Sequence, residues 1–426
     1  MIERFGTLPD GRNVRRARLH NDALRVQVLT LGAIVQDLRL AGVAHPPTLG
    51  APRLAPYLQP MAYFGAMVGR FTNLIDGARF RLDGHDHTLS RNCHGRNRLH
   101  VGLEGGVQKL WQIRDHATER LALVIADAEG GFSRRLDVEL QITPDGPALG
   151  FEITSTTDCA TPCSFPQHSF YRPDDSGDIG AHRQRIVANT YLQVGAVMIL
   201  TGAPHTVVKT DFDFRAPRSM AGAEVGHNFC LSPDRVPLRP VPWLDSVHSG
   251  ITIELATTEP ELQVFTADTL PKGGVIGFDD VPRRHRAGTA GLARRTRPPA
   301  FLPAILRPDA RYHQSTHVTL KGTAQIVLQL ARVPCRPGSS CHRSNSPRRL
   351  RAKLGPPRPP RNGPQSGRSS WLRGLGLAGR IGASVPWPQC HGAARAPRAH
   401  GYVCRCLALR PLLQFRRPWK RSRPVP

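Results

Sequence analysis

The sequence predicts an all-β chain, one large antiparallel sandwich, followed by a basic tail outside the fold. Three observations predict it. Apolar residues recur at every second position through residues 1–335, turn residues separate these runs, and no long stretch keeps a capped helical period. Strands that follow one another without interleaved helices favour an antiparallel arrangement over a parallel sheet with crossover helices.

In chain order, Leu24, Val26 and Val28 alternate with Arg25 and Gln27. Leu136, Val138, Leu140 and Ile142 alternate with Asp137, Glu139 and Gln141. Leu149, Phe151 and Ile153 alternate with Gly150 and Glu152, and Ile251, Ile253 and Leu255 repeat the pattern. A period of two puts each apolar set on one face of a strand and leaves the other face wet. The turns between them are expected at Asp83-Gly84, Glu129-Gly130-Gly131 and Pro144-Asp145-Gly146. No internal repeat of solenoid length is present.

Charge divides the chain in two. The 426 residues hold 58 Lys and Arg against 32 Asp and Glu, a net +26, which taken alone is a nucleic-acid signature. Residues 336–426 account for 20 of the basic residues and none of the acidic ones, so residues 1–335 hold 38 and 32, net +6. The expected organisation is therefore a mildly basic domain, 1–335, and an Arg/Pro-rich tail, 336–426. The tail carries 14 Pro, and Pro356-Pro357-Arg358-Pro359-Pro360 excludes helix and central strand. Its composition predicts disorder. It reads either as a basic disordered extension or as a stretch translated out of its proper frame. Gly374-Leu375-Gly376-Leu377-Ala378-Gly379 matches a dinucleotide fingerprint, but Pro386 and Pro388 follow and no acidic residue lies downstream, so the match is read as chance.

Several function classes are expected to be absent. No apolar run approaches the roughly 20 residues that span a bilayer. The start, Met1-Ile2-Glu3-Arg4-Phe5, has no charged segment followed by an apolar one, so it does not read as a secretory signal. Nine Cys without paired Cys-x-x-Cys sets fit neither a disulfide scaffold nor structural zinc, and a reducing cytoplasm is the expected location. Asp174-Asp175-Ser176-Gly177-Asp178 lacks calcium-loop spacing and reads as a turn. His85 and His87 share one face of a hairpin without a third ligand, so no metal is expected.

Nine segments, in order, resemble the aldose 1-epimerase (galactose mutarotase) family. Phe5-Gly6-Thr7-Leu8-Pro9-Asp10-Gly11 resembles its opening, and Leu31-Gly32-Ala33-Ile34-Val35 its first core strand. Tyr63 to Asn73 resembles the stretch leading to the sugar site, Asn97-Arg98-Leu99-His100-Val101-Gly102 its Asn-x-Leu-His-Gly-Gly segment, and Gln167-His168-Ser169-Phe170 its His-Ser-Tyr-Phe segment. Thr210 to Arg215, His227-Asn228-Phe229-Cys230-Leu231 and Gln263-Val264-Phe265-Thr266 follow, and Ala304 to Pro308 with Tyr312 resembles the closing strand. The likeness spans about residues 1–335. It implies a β-supersandwich that interconverts the α and β anomers of free aldoses, with no metal, nucleotide or other cofactor.

Anomer exchange opens the sugar ring. A base takes the C1 hydroxyl proton while an acid protonates the ring oxygen, and the open aldehyde then rotates and recloses. By resemblance, His168 fits the acid, and His100 the second histidine that holds the sugar and polarises the ring oxygen. Asn73 and Gln263 fit sugar-binding positions. Alternation sets Gln263 opposite to Leu262 and Val264, so it reads equally as a solvent-facing strand residue.

The sequence departs from the family at three places. Leu74 stands where the family has Arg, and Gly226 where it has Asp. The family's Glu base, in an Ala-Gly-x-x-x-Glu-Pro-Gln segment, has no counterpart: Val281 to Pro308 contains no Asp or Glu. Impaired turnover is the expectation, and a non-catalytic carbohydrate-binding protein on the same fold is the alternative. A sugar-phosphate relative would need a basic pair in the body, where Arg70 reads as structural. Nucleic-acid binding through the tail would be nonspecific, since its aromatics are sparse.

Overall fold

The computed structural model describes residues 1–58, 61–100, 107–127, 135–176, 179–195, 199–266 and 305–322, all within one compact unit. The tail, the boundary at 335, the Glu129-Gly130-Gly131 turn and most of the segment with the missing base lie outside the described residues.

The all-β expectation holds. The centre is a nine-stranded antiparallel sheet, in spatial order Arg218–Ser219, His182–Ile186, Arg239–Ser246, Thr252–Thr257, Tyr312–Lys321, Ala148–Thr157, Leu136–Asp145, Arg120–Asp127 and Gln112–Ala117. A four-stranded meander, Ile2–Thr7, Asn13–His20, Leu24–Leu29 and Val35–Leu40, forms a second sheet. A third has the order Leu200–Thr206, Thr190–Val194, Gly226–Cys230 and Glu261–Phe265. Helix is confined among the described residues to Ala55–Leu58 and a 3₁₀ turn at Asp76–Ala78.

The alternating runs become the strands they predict. Leu136–Asp145 buries every second side chain along nearly its whole length, and pairs with Ala148–Thr157 through a two-residue turn at 146–147. The turn signal at Pro144-Asp145-Gly146 is thus displaced by one residue, because Pro144 and Asp145 still belong to the strand. Asp83-Gly84 turns the hairpin of Arg79–Leu82 and His85–Thr88 as expected. The closing segment, after Ile305–Leu306 has paired with Thr161–Pro162, enters the middle of the large sheet as Tyr312–Lys321.

One apolar core joins the three sheets. It holds Ala17, Leu19 and Val26 from the meander, Leu140, Phe151, Ile153 and Leu320 from the large sheet, and Phe229, Leu262 and Val264 from the third. Each buried Val, Leu, Ile or Phe among them contributes about 1.5–3 kcal/mol. A second cluster, with Met61, Phe64, Val68, Phe170 and Phe265, packs on the other face of the Glu261–Phe265 strand. Polar residues held between these two apolar masses form the candidate site.

Candidate active site

Leu74–Ile75 pairs antiparallel with Arg98–Leu99, so Asn73 and His100 are the next pair at the end of this short ladder. The His100 backbone N–H donates to the Asn73 carbonyl at 2.9 Å, continuing the pairing. The Asn73 backbone N–H instead donates to the His100 side chain at Nδ1, 3.1 Å away. Both residues sit at positive φ, 76° for Asn73 and 51° for His100, where the chain leaves the ladder. Asn and His tolerate this region better than most side chains, and such backbone is costly unless its surroundings hold it. Here Asn92 does so, its Oδ1 accepting the Leu99 N–H at 2.7 Å and its Nδ2 donating to the Leu99 carbonyl at 3.0 Å.

His168 is set by a second irregular pairing. Gly65 N–H donates to the His168 carbonyl at 2.9 Å, His168 N–H to Ala66 at 2.8 Å, and Val68 N–H to Pro166 at 3.0 Å. Gly65 is required at this crossing. Its φ is +70°, and a Cβ there would lie 2.3 Å from the Val35 carbonyl oxygen. The segment 63–74 therefore fixes the backbone beside both histidines.

The two predicted histidines meet. Their ring centroids are 5.5 Å apart with the planes at 89°. Tyr63 packs on both, 4.7 Å from His100 and 6.1 Å from His168, and Phe170 lies 5.5 Å from His168. Burial favours the neutral ring. It holds His100 well below the usual imidazole range, with the neighbouring His168 adding to the effect, and pushes His168 down to about 4. Because His100 Nδ1 accepts an N–H, its ring proton resides on Nε2. His168 Nδ1 is buried and has no hydrogen-bond partner.

Gln263 joins the same network. The strand reading gave its facing correctly but left open whether that face is wet. It is 7 % exposed, because the second apolar cluster covers this side of the strand. Asn73 Nδ2 donates to Gln263 Oε1 at 3.1 Å, so all four predicted residues are linked by contact. Asn228 lies directly opposite Gln263 across the ladder, and Gly226 opposite Phe265. Side chains at 226, 228, 261 and 263 thus share one face.

The family model described as "Aldose 1-epimerase" matches residues 15–293. The chain belongs to the aldose 1-epimerase family. It is 31% identical over 338 residues to the galactose mutarotase of Homo sapiens, covering 73% of this chain and 96% of that protein. It is 27% identical over 299 residues to the aldose 1-epimerase of Escherichia coli, covering 64% and 85%. Among solved structures, an aldose epimerase homologue from C. elegans has a TM-score of 0.66 at 20% identity over 72% of this chain and 98% of that one. A galactose 1-epimerase from Lactobacillus acidophilus has 0.65 at 18%, over 76% and 98%. These structures establish the supersandwich fold.

The departures from the aldose 1-epimerase pattern have local consequences. Leu74 packs in an apolar cluster with Cys93 and Leu99, with Val194 and Ile199 against it, so a guanidinium there would displace apolar contacts. Gly226 leaves the face beside Asn228 and Gln263 without a side chain. Among the described residues, no carboxylate contributes to the environment of His100 or His168. Glu261, on the Gln263 face, is engaged by Asn228 Nδ2 at 2.7 Å. It also lines a separate cavity of about 600 Å³ with Arg185, Thr190, Arg215 and Ser232, which includes none of the four site residues.

Arg70 is fully buried and donates to Thr161 Oγ1 at 2.9 Å, a structural position. Asp174, read as part of a turn, lies in a bend where it accepts the Ser176 N–H at 3.1 Å, and its side chain is also buried. It accepts from Ser176 Oγ at 2.6 Å and from Ser246 Oγ, and lies 3.2 Å from His182 Nε2. His87 stacks on Phe80 at 4.7 Å, and the described residues contain no group of His, Cys, Asp or Glu able to hold a metal. No helix among them is long and apolar enough to cross a membrane. Sequence reasoning passed over Tyr63, Asn228 and Glu261. Tyr63 stood inside a quoted motif, whereas the Asn228–Glu261 contact depends on a strand register that no local pattern reveals.

Proposed function

We propose that the site formed by His100 and His168 binds a free aldose and opens its ring by acid/base chemistry, with turnover limited by the missing base. The observation carrying this reading is the pair of neutral imidazoles, edge to face at 5.5 Å and tied through Asn73 to Gln263. His100 offers its Nε2–H as a fixed donor to a sugar oxygen. His168, with a pKa of about 4, is almost wholly neutral at pH 7. It therefore acts as a neutral hydrogen-bond donor that stabilises the charge developing on the ring oxygen, and water delivers the proton which that oxygen takes up. Asn73 and Gln263 supply amide donors and acceptors to hydroxyls. Among the described residues no carboxylate stands beside the two rings to receive the C1 hydroxyl proton, and solvent takes that role.

Loss of a general base commonly costs a factor of about 10²–10⁴. A solution of α-D-galactose followed by polarimetry should relax faster with this protein than without it, yet about 10²–10⁴-fold more slowly than with an equal amount of the E. coli enzyme. His168→Gln should remove the acceleration. Relaxation at the spontaneous rate, with galactose still bound by calorimetry, would replace this reading with sugar binding alone. The lack of any Asp or Glu between Val281 and Pro308 favours that second reading. Absence of binding would end both. A cytoplasmic location is proposed with them, from the unpaired pattern of cysteines in the sequence.

A further inference from the structure

The two amides proposed to bind sugar are bonded to each other in the sugar-free protein, Asn73 Nδ2 to Gln263 Oε1 at 3.1 Å. A hydroxyl that takes the Asn73 Nδ2–H now given to Gln263 frees the glutamine amide to turn. The N–H groups of that amide are poorly served where they stand. At present Gln263 Nε2 has only the carbonyl of the adjacent Val264, at 3.3 Å.

Asn228 stands directly across the ladder from Gln263, with its side chain on the same face. It is 1 % exposed. Its amide cannot turn freely. A carboxylate only accepts, so the 2.7 Å contact from Asn228 Nδ2 to Glu261 Oε2 fixes which end of the amide is nitrogen. Asn228 Oδ1 is thereby held as an acceptor, and it is buried without any donor. Orphaned buried acceptors are rare because they forfeit hydration without replacement. Gly226, the next residue on this face, has no side chain to fill the space.

We propose that Asn228 is a positioning residue for Gln263. Its Oδ1 is the acceptor to which the Gln263 Nε2–H turns when a sugar hydroxyl takes over Asn73, and Glu261 holds that oxygen in place. This rests on the sugar-binding reading above.

The test is a titration of ¹⁵N-labelled full chain with D-galactose, following the Gln263 side-chain amide and the imidazoles of His100 and His168. In the wild-type protein the Gln263 amide protons should move downfield along the same isotherm as the imidazoles. In Asn228→Leu that movement should vanish and galactose should bind roughly three- to tenfold more weakly. Asn228→Ser, which keeps a small polar group, serves if the leucine variant does not fold, and the wild-type arm decides alone if neither does. Imidazole shifts with a stationary Gln263 amide, or an amide shift undiminished in the variant, would overturn this proposal and leave sugar binding intact. No shift of either imidazole with any aldose would overturn both.

Discussion

The backbone N–H of Asn73 donates to the ring of His100, not to its carbonyl, at the end of a two-residue ladder. This single bond sets which nitrogen of His100 carries the proton. In ¹⁵N spectra His100 should show an unprotonated Nδ1 and a protonated Nε2 throughout pH 5–8. The reverse tautomer, or a charged ring in that range, would remove the fixed donor from the proposed site.

The same backbone geometry separates stability from binding at Asn73. Its φ of 76° is one that glycine adopts freely and alanine does not. Asn73→Gly should therefore be more stable than Asn73→Ala by about 1 kcal/mol in chemical denaturation. Both should lose galactose affinity, since neither has an amide. Equal stabilities would show that the turn relaxes.

Acid should destabilise the fold through its buried imidazoles. Burial brings both His168 and His227 down to about 4 and His100 well below its usual range. An imidazole kept neutral in the fold but free to charge near pH 6.5 when unfolded takes up protons preferentially in the unfolded chain. Stability is then complete above pH 6.5 and falls as pH drops towards 4, by about 1.4 kcal/mol per pH unit for each such residue. Urea midpoints at pH 7 and pH 5 measure this slope, and His168→Gln should lessen it by one residue's share. A midpoint independent of pH in that window would contradict the burial assigned to the rings.

Restoring the family's arginine at position 74 should not restore function. Leu74 is 9 % exposed and packs on Cys93 and Leu99. Leu74→Arg should cost about 2 kcal/mol or more through lost apolar contact and a poorly solvated charge. A variant as stable as the parent, with tighter galactose binding, would show that the side chain escapes the cluster into the site.

Much of the fold was legible because its strands have one buried face and one wet face. Leu136–Asp145 is the clearest case, with burial alternating as its residues do. Gln263 was harder to read for the opposite reason. Its strand is buried on both faces, so alternation gives direction but not environment. His100 and His168 were singled out by their flanking motifs, whereas their 5.5 Å approach depends on two irregular pairings of segment 63–74. At Asp174 the turn was legible but the burial was not, because its contacts with Ser246 and His182 come from distant strands.

Imidazole chemical shifts measured against D-galactose concentration test the shared site most directly. The resonances of His100 and His168 should move together with one dissociation constant, as two rings on a single bound sugar must. Two unrelated constants, or rings that ignore the sugar while it binds elsewhere, would contradict a common site.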